Sequence, residues 1–379
     1  MVIIVDVLFV LLLNSKKYIL NSIKLIPDFI VEKIIPSNNI QKRSCIVREL
    51  LENSIDSKAN YISLNINVEK DYAIEIKDNG NGMSVKDLEL CHKKYYSSKI
   101  NLQNDLNLIP TLGYRGMGLY LISKVADIII ESKQDQNQSG SRIYIRNQKI
   151  HKIESVDKVK NGTSIEIRNI SLEKKDTDNI IEEFKCIGYA HLDVKMVLSF
   201  DNQKVFSLEA TNLRKRIVNM LGGRYNEYLV PVYEETDLVT ITGFVMKPKY
   251  AKKTKSNQYL YINKRLAISS YLNRSIHKGF QNLIKKCHHP SFFIFLEINP
   301  KNIDLNIGVS KKEFFLKDNK SISSIITSSI RKSLGQYNLT PSINFEQESS
   351  FNIDVIEKNV DIKEPKIKID PDYNPFKND

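Results

Sequence analysis

From Cys45 onward apolar residues recur at spacings of three and four. Ile46, Val47, Leu50, Leu51 and Ile55 fall on one stripe, which predicts an amphipathic helix. The period then changes to two. Ile62, Leu64, Ile66 and Val68 alternate with polar residues, and Ala73-Ile74-Glu75-Ile76 resumes after a short turn. That alternation predicts an antiparallel hairpin with one solvated face. A loop rich in glycine and polar residues runs from Asp78 to Gly118 with one short helix inside it, and 119–126 is helical again. Strands are expected at 128–131, 142–146 and 164–168. A helix at 179–189 and a strand at 194–200 close the first unit.

A second unit begins near residue 207. Its pattern gives a helix at 212–221, strands at 239–245 and 259–263, a helix at 269–287, a strand at 292–298 and a last helix at 321–334. After Leu339 the chain turns polar, with Pro341, Pro365, Pro371 and Pro375 and no helical or strand period, as in a solvated tail or linker. The division expected is 1–21, 22–206, 207–339 and 340–379. Helices interspersed with antiparallel strands make the fold class α+β.

Composition narrows the function classes. A chain of 379 residues with 41% hydrophobic and 26% charged residues is ordinary globular protein, which excludes collagenous, disulfide-scaffold and wholly disordered chains. Its formal net charge of +12 favours polyanionic partners, nucleic acid first, although a chain so heavy in Lys, Asn and Ile also reflects an AT-rich genome. Cys45, Cys91, Cys186 and Cys287 are far apart, which points to a reducing, cytoplasmic compartment without a disulfide framework. Cys287-His288-His289 has no second pair to complete a metal site. The apolar run 2–13 contains Asp6 and is shorter than the roughly 18–20 residues that span a bilayer, so no membrane association is expected; its role is unexplained.

The chemistry lies in four pieces. No phosphate-binding P-loop, dinucleotide fingerprint or H-E-x-x-H occurs. First, Glu49 and Asn53 are four apart and share a helix face beside the apolar stripe. Asn53 offers an oxygen to Mg²⁺, and Glu49 suits a general base, a role worth about 10²–10⁴ in rate. Alone, such a pair reads more readily as solvated helix surface. Second, Asp78-Asn79-Gly80-Asn81-Gly82-Met83 follows the hairpin. An ionised Asp78 could accept a hydrogen bond from an adenine amino group, with Gly80 and Gly82 giving close backbone approach. Third, Ser97-Ser98-Lys99 and Gly113-Tyr114-Arg115-Gly116-Met117-Gly118 flank a polar stretch that reads as a lid, with backbone N–H groups, Ser98 and Lys99 for phosphates. Fourth, Thr163 in Asn161-Gly162-Thr163-Ser164 is placed to bond the base or the aspartate that reads it. Their order and spacing are jointly specific.

With these motifs the chain resembles the ATPases shared by gyrase, the large heat-shock chaperone, histidine kinases and MutL, the GHKL superfamily. Val47-Arg48-Glu49-Leu50-Leu51-Glu52-Asn53-Ser54-Ile55-Asp56 and Gly113-Tyr114-Arg115-Gly116 resemble the MutL mismatch-repair family in particular. So do Tyr261-Ile262-Asn263-Lys264-Arg265, the stretch from Ile303-Asp304-Leu305-Asn306-Ile307 to Ser310-Lys311-Lys312-Glu313, and Asp372-Tyr373-Asn374-Pro375-Phe376. The resemblance covers roughly 22–376. It implies a Bergerat-type ATPase sandwich followed by a smaller α/β domain of the left-handed βαβ crossover kind. It implies ATP and Mg²⁺ as cofactors, with Glu49 as base, Asn53 on the metal, Asp78 on adenine, and Thr163 nearby. Gly80, Gly82, Ser98, Lys99, Gly113, Gly116 and Gly118 would hold the nucleotide, and Lys311 would reach the γ-phosphate. It also implies sequence-independent DNA binding through the second domain, where the expected helix 269–287 carries Arg274, His277, Lys278, Lys285 and Lys286, with Lys247, Lys249, Lys252, Lys253 and Lys255 in the preceding loop. A mismatch-recognition protein, MutS, and a second copy joined through the N-terminal domain in an ATP-dependent way are the implied protein partners.

Some segments depart from the family pattern. The family's AAGEV is here Ile35-Pro36-Ser37-Asn38-Asn39, GFRGEAL has become Gly113-Tyr114-Arg115-Gly116-Met117-Gly118-Leu119, and the paired-arginine segment after the Gly162-Thr163 strand is missing. No endonuclease metal motif is present, so neither strand cleavage nor the family's C-terminal dimerisation domain is expected. Two functions are therefore carried forward: a slow ATP-driven repair switch, and a degenerate module that binds DNA and partners with little or no hydrolysis. A histidine kinase or topoisomerase subunit fits less well, for want of a phospho-acceptor helix or cleavage-linked domains.

Overall fold

The computed structural model describes residues 22–31, 42–67, 72–99, 112–113, 116–135, 137, 139–157, 160–304 and 314–339. In chain order the first elements are β1 (Lys24–Leu25), α1 (Asp28–Val31), α2 (Arg43–Asp56), β2 (Tyr61–Ile66), β3 (Tyr72–Asp78), α3 (Val85–Leu90) and β4 (Tyr96–Ser97). They are followed by α4 (Gly118–Ser123), β5 (Asp127–Lys133), β6 (Gly140–Arg146), β7 (Lys149–Val156), β8 (Gly162–Arg168), α5 (Lys174–Ala190), β9 (Lys195–Phe200) and β10 (Gln203–Leu208). Eight of these strands form one sheet in the order β10-β9-β2-β3-β8-β5-β6-β7, with β2 and β9 parallel and the other pairs antiparallel.

Period-two alternation gives that sheet one apolar face. Ile62, Leu64, Ile74, Ile76, Ile128, Ile130, Ile165 and Ile167 are buried on it. The stripe of α2, Ile46, Val47, Leu50 and Leu51, and that of α5, with Ile180 and Phe184, belong to the same core. Burying such side chains stabilises the fold by about 1.5–3 kcal/mol each. The same stripe leaves the polar face of α2 turned away from the core, which is what makes it available for chemistry. Apart from that sheet, β1 pairs antiparallel with β4, and the Ile23 amide donates to Asp87 Oδ1 at 2.7 Å, tying the early segment to the first turn of α3.

The second part contains α6 (Leu213–Leu221), β11 (Leu229–Glu235), β12 (Thr240–Met246), β13 (Gln258–Ile262), β14 (Arg265–Leu266), α7 (Ser270–Gly279), β15 (Phe292–Glu297), β16 (Ile303–Asp304), β17 (Phe315–Leu316) and α8 (Asn319–Leu339). Its sheet runs β11-β12-β15-β13-β14, and β16 pairs with β17 apart from it. The neighbouring strands β13 and β15 are parallel with α7 between them in sequence, a βαβ crossover. Alternation here serves two cores at once. Leu260, Ile262, Phe292, Ile294 and Leu296 pack with Leu272 and Ile276 of α7 and with Ile326 and Ile330 of α8. Tyr259, Tyr261 and Phe293 point the other way, into the core of the first sheet and its helices. The ring of Tyr189 lies 4.8 Å from Tyr259 and 4.9 Å from Phe293, and Tyr261 donates its hydroxyl proton to the Cys186 carbonyl at 2.8 Å. The two parts therefore share apolar packing rather than a thin linker, and residues up to Leu339 cluster as one compact unit.

Several elements differ from the sequence expectation. The first sheet does not close with β9: β10 extends it, so the boundary expected between 206 and 207 falls inside a strand. The edge strands β7 and β11 were not anticipated. The helix expected at 269–287 is shorter. Ser269 caps it, accepting from the Leu272 amide at 3.2 Å, and it ends at Gly279, where an added Cβ would come within 2.7 Å of Ile330 in α8. Residues 280–288 continue as turns, with Asn282 and Cys287 at positive φ. Arg274, His277 and Lys278 thus lie on α7, whereas Lys285 and Lys286 lie in the turns after it. Val68, the segments 1–21, 35–39 and 340–379, and Lys311 fall outside the described residues.

Candidate functional site

The site is built on the polar face of α2. Glu49, Asn53 and Asp56 sit at i, i+4 and i+7, nearly in line along the helix. Gly118 opens α4 directly against this row: a Cβ added there would be 2.7 Å from Glu49 Oε2. Only a residue without a side chain lets the first turn of α4 approach that carboxylate so closely. Asn53 Oδ1 accepts from Lys99 Nζ at 3.0 Å, and the same ammonium bonds Asp56 Oδ2 at 2.5 Å. Gly113 covers the pair, since a Cβ there would meet Lys99 Nζ at 2.7 Å and Asp56 Oδ2 at 3.4 Å.

The last turn of α2 also holds Asp78, at the end of β3. Ser54 Oγ donates to Asp78 Oδ2 at 2.8 Å, and the Gly80 amide and Ser57 Oγ donate to Oδ1 at 2.9 and 3.5 Å. Burial pushes the Asp78 carboxyl above its ordinary range. The donors from Gly80, Ser54, the Thr163 amide and Ser57 oppose that shift without cancelling it. Thr163 is paired with Asp78 across β3 and β8. Its hydroxyl, however, bonds Ser132 Oγ at 2.9 Å, and Ser132 Oγ also accepts from the Met83 amide at 2.8 Å and donates to the Gly162 carbonyl at 3.0 Å. Ser132 thereby fastens the Gly80–Met83 turn to β8.

Of the residues singled out in the sequence, Glu49, Asn53, Lys99, Gly113 and Gly118 come together along the polar face of α2, and Asp78 and Gly80 meet its last turn through Ser54 and Ser57. Gly82 lies in the turn after β3 beside the Lys133 carbonyl, Gly116 accepts from the Tyr95 amide at 2.9 Å, and Ser98 is half-buried between Ser97 and Lys99. Lys311 lies outside the described residues. Sequence reasoning missed Asp56, Ser54, Ser57 and Ser132. Asp56 carried a signal, because it continues the Glu49/Asn53 row by a further three residues. The serines carried none, since their partners are distant in the chain.

The oxygen pair of Asn53 and Asp56 already supports a positive charge, the Lys99 ammonium, so these hard donors fit a divalent cation of the Mg²⁺ kind. Among the described residues no group of three or more His, Cys, Asp or Glu could hold a metal by itself. An ion held by one or two protein oxygens, with water and phosphate completing its shell, is the arrangement such a site allows. Behind the row, Arg48 turns away from the site toward α5, with Nη1 3.4 Å from Glu183 Oε1 and Nε 3.8 Å from Glu52 Oε1. Burial works against the Arg48 charge, but Glu183 and Glu52 outweigh it and hold the guanidinium ionised. Arg48, Glu52 and Glu183 line a cleft with Lys264 and Arg265, so the β13–β14 turn of the second part reaches the helix that carries Glu49.

On the second part, Lys252 exchanges two backbone hydrogen bonds with His289, at 3.1 and 2.7 Å. This bridge brings the loop with exposed Lys249, Lys252, Lys253 and Lys255 beside the turn with exposed Lys285 and Lys286. Lys278 and Arg274 are exposed on α7 nearby in sequence. His277 is half-buried, its ring 5.5 Å from that of His289 and its Nε2 3.4 Å from Gln258, so it faces protein more than solvent. No described helix is long and apolar enough to cross a membrane.

Comparison with known proteins agrees with both parts. Residues 42–178 match the family described as histidine kinase-, DNA gyrase B-, and HSP90-like ATPase, and residues 217–335 match the DNA mismatch repair protein, C-terminal domain. The DNA mismatch repair protein MutL of Christiangramia forsetii is 35% identical over 368 residues, covering 94% of this chain and 60% of that protein. That of Bacteroides fragilis is 31% identical over 366 residues, covering 94% and 58%. Among solved structures, the N-terminal domain of a DNA repair protein superposes with a TM-score of 0.63 at 18% identity, covering 79% of this chain and 96% of that one. The Aquifex aeolicus MutL ATPase domain complexed with ADP gives 0.50 at 20%, covering 69% and 93%. At these identities the two structures speak for the fold alone: an ATPase domain of the GHKL type followed by a second α/β domain. The chain spans about 60% of the length of the curated relatives it matches. On its two matched domains and these relatives together, the chain belongs to the MutL family of DNA mismatch repair proteins.

Proposed function

We propose that this chain is an ATP-dependent switch in DNA mismatch repair, one that binds Mg-ATP on the α2 face and couples mismatch recognition to later steps. In this reading Glu49 takes the proton of the attacking water, Asn53 holds Mg²⁺, and Asp78 accepts from the adenine amino group with Thr163 supporting it through its amide. Gly80 and Gly82 line the base side. Ser98, Lys99, Gly113, Gly116 and Gly118 surround the phosphates, and Lys311 contacts the γ-phosphate. Bound Mg²⁺ would neutralise phosphate charge; the chain's own part is to orient the nucleotide and to hold a base beside it. The observation that carries the reading is that one helix holds Glu49 and Asn53 along its face and, through Ser54 and Ser57, also grips Asp78.

Sequence-independent DNA binding would use the phosphate-facing lysines joined by the Lys252–His289 bridge, together with Arg274, Lys278, Lys285 and Lys286. A mismatch-recognition protein, a second copy of the chain and the cytoplasm complete the proposal. Glu49→Ala should abolish ATP hydrolysis while Mg-ATP still binds; turnover at the unsubstituted rate would remove Glu49 from its role. One observation favours the alternative of a DNA- and partner-binding module with little hydrolysis: Lys99 holds the very oxygen assigned to the metal. Absence of Mg-ATP binding alongside intact DNA binding would decide for that module.

A further inference from the structure

Three polar side chains lie in one row across the first sheet. The register of β3, β8 and β5 sets Asp78 beside Thr163 and Thr163 beside Ser132, and residues paired directly across strands project from the same face. Ser132 is 1% exposed, so its bonding is settled within the protein. Its hydroxyl has one proton and three neighbours: the Met83 amide at 2.8 Å, the Gly162 carbonyl at 3.0 Å and Thr163 Oγ1 at 2.9 Å. An amide N–H only donates and a carbonyl only accepts. All three contacts are hydrogen bonds in one arrangement alone: Ser132 accepts from Met83, gives its own proton to Gly162 and accepts the proton of Thr163. The Thr163 amide meanwhile donates to the Asp78 carboxylate. Thr163 has thus spent both its protons and offers only lone pairs to anything further. Asp78 accepts from Ser54, Ser57 and Gly80 as well, which suits its ionised form.

We propose that Ser132 is a positioning residue that sets the hydrogen-bond polarity of this row: by taking the Thr163 proton it leaves Thr163, like Asp78, an acceptor, so the row selects a purine with an exocyclic amino group over one with a carbonyl in that place. The inference rests on the reading of Asp78 as the group that meets the base. Two acceptors side by side match the two hydrogens of an amino group and repel a carbonyl oxygen. A Thr163 hydroxyl free to turn would donate to that carbonyl and blunt the distinction. Ser132 also holds the turn after Asp78. It accepts from the Met83 amide, and Gly82 in that turn lies so close to β5 that an added Cβ would be 2.1 Å from the Lys133 carbonyl. Ser132→Ala therefore releases both the proton and the turn, which gives two separate readouts.

The test measures Mg-ATP and Mg-ITP binding to the full chain by calorimetry, with amide hydrogen exchange at Met83 read by mass spectrometry. Inosine triphosphate differs from ATP in carrying a carbonyl where adenine has its amino group and a proton on the neighbouring ring nitrogen. The native chain should prefer Mg-ATP. Ser132→Ala should narrow that preference by about fivefold or more and speed Met83 exchange by about tenfold, each close to the worth of one hydrogen bond. Ser132→Thr, which keeps the hydroxyl, should restore both. Thr163→Val should narrow the preference while Met83 stays protected, because Ser132 is intact, and this keeps the test decisive if Ser132→Ala does not fold. A purely structural role would weaken both nucleotides alike, so a preference unchanged in Ser132→Ala or in Thr163→Val would overturn the proposal. A native chain that binds neither nucleotide would overturn the proposed function and this selection with it, whereas binding with a preference that ignores Ser132 would overturn the selection alone.

Discussion

Gly118→Ala separates the fold from the chemistry. The new Cβ would lie 2.7 Å from Glu49 Oε2, 3.5 Å from its Cδ and 3.6 Å from its Cβ, so the carboxylate must swing aside. What moves is the end of a flexible side chain, and the structural cost is correspondingly small. Alanine also suits a helix better than glycine, by up to about 1 kcal/mol in an interior and less in the first turn where position 118 lies. Stability should therefore change by no more than about 1 kcal/mol in either direction, measured by urea unfolding. The rate should not be spared. A general base contributes about 10²–10⁴, and a displacement of about 1 Å costs on the order of 10². ATP turnover is accordingly expected to fall by about a hundredfold. Turnover equal to that of the unsubstituted chain would refute the placement of Glu49 against α4.

Two further outcomes follow from other parts of the molecule. His191 is held neutral by burial and, less strongly, by Lys264, with its pKa lowered to about 4 against the push of Asp193 and Asp56. A lowered folded-state value means the unfolded chain takes up the proton first, so stability present above pH 6.5 is lost as pH falls toward 4, by at most about 3 kcal/mol. Urea unfolding at pH 7 and 4.5 should show a smaller loss for His191→Gln than for the native chain, and equal losses would remove the buried-imidazole explanation. Replacing Lys252, Lys253, Lys285 and Lys286 by alanine should lower the salt dependence of DNA binding, log K against log salt, by about 3 to 4, equally for unrelated duplexes. An unaltered slope would place the DNA elsewhere.

The interior was readable from the chain because burial imposes a period. The stripe Ile46, Val47, Leu50, Leu51 and the alternating isoleucines of β2, β3, β5 and β8 are buried where the pattern put them. Besides five two-residue strands, the pattern missed β7, β10 and β11, and all three are sheet edges. An edge strand packs on few neighbours, so its apolar alternation is weak; β7 is mostly exposed, and β11 carries Pro231 where a central strand would not tolerate it. The pattern extends the helix after Ser269 too far because 280–287 keeps apolar residues at helical spacing, whereas the helix stops at Gly279 and Asn282 and Cys287 take positive φ beyond it. Arg216 lay beyond pattern altogether: a fully buried guanidinium whose Nη2 donates to the Leu192 and Val194 carbonyls at 3.0 Å each, bracing the link from α5 to β9. At the site, the spacing of Glu49 and Asn53 identified the face, but Asp56 joined it only once the fold brought Lys99 to the same row.

The most direct trial of the account is a calorimetric titration of the chain with Mg-ATP and with Mg-GTP, repeated on Asp78→Asn. A half-buried carboxylate in the site accepts from an exocyclic amino group and repels a carbonyl oxygen, so Mg-ATP should bind at least tenfold more tightly than Mg-GTP. That preference should largely vanish in Asp78→Asn, whose amide both donates and accepts. Equal binding of the two nucleotides by the native chain, or a preference untouched by the substitution, would contradict the claim that the α2 face and Asp78 form one nucleotide site.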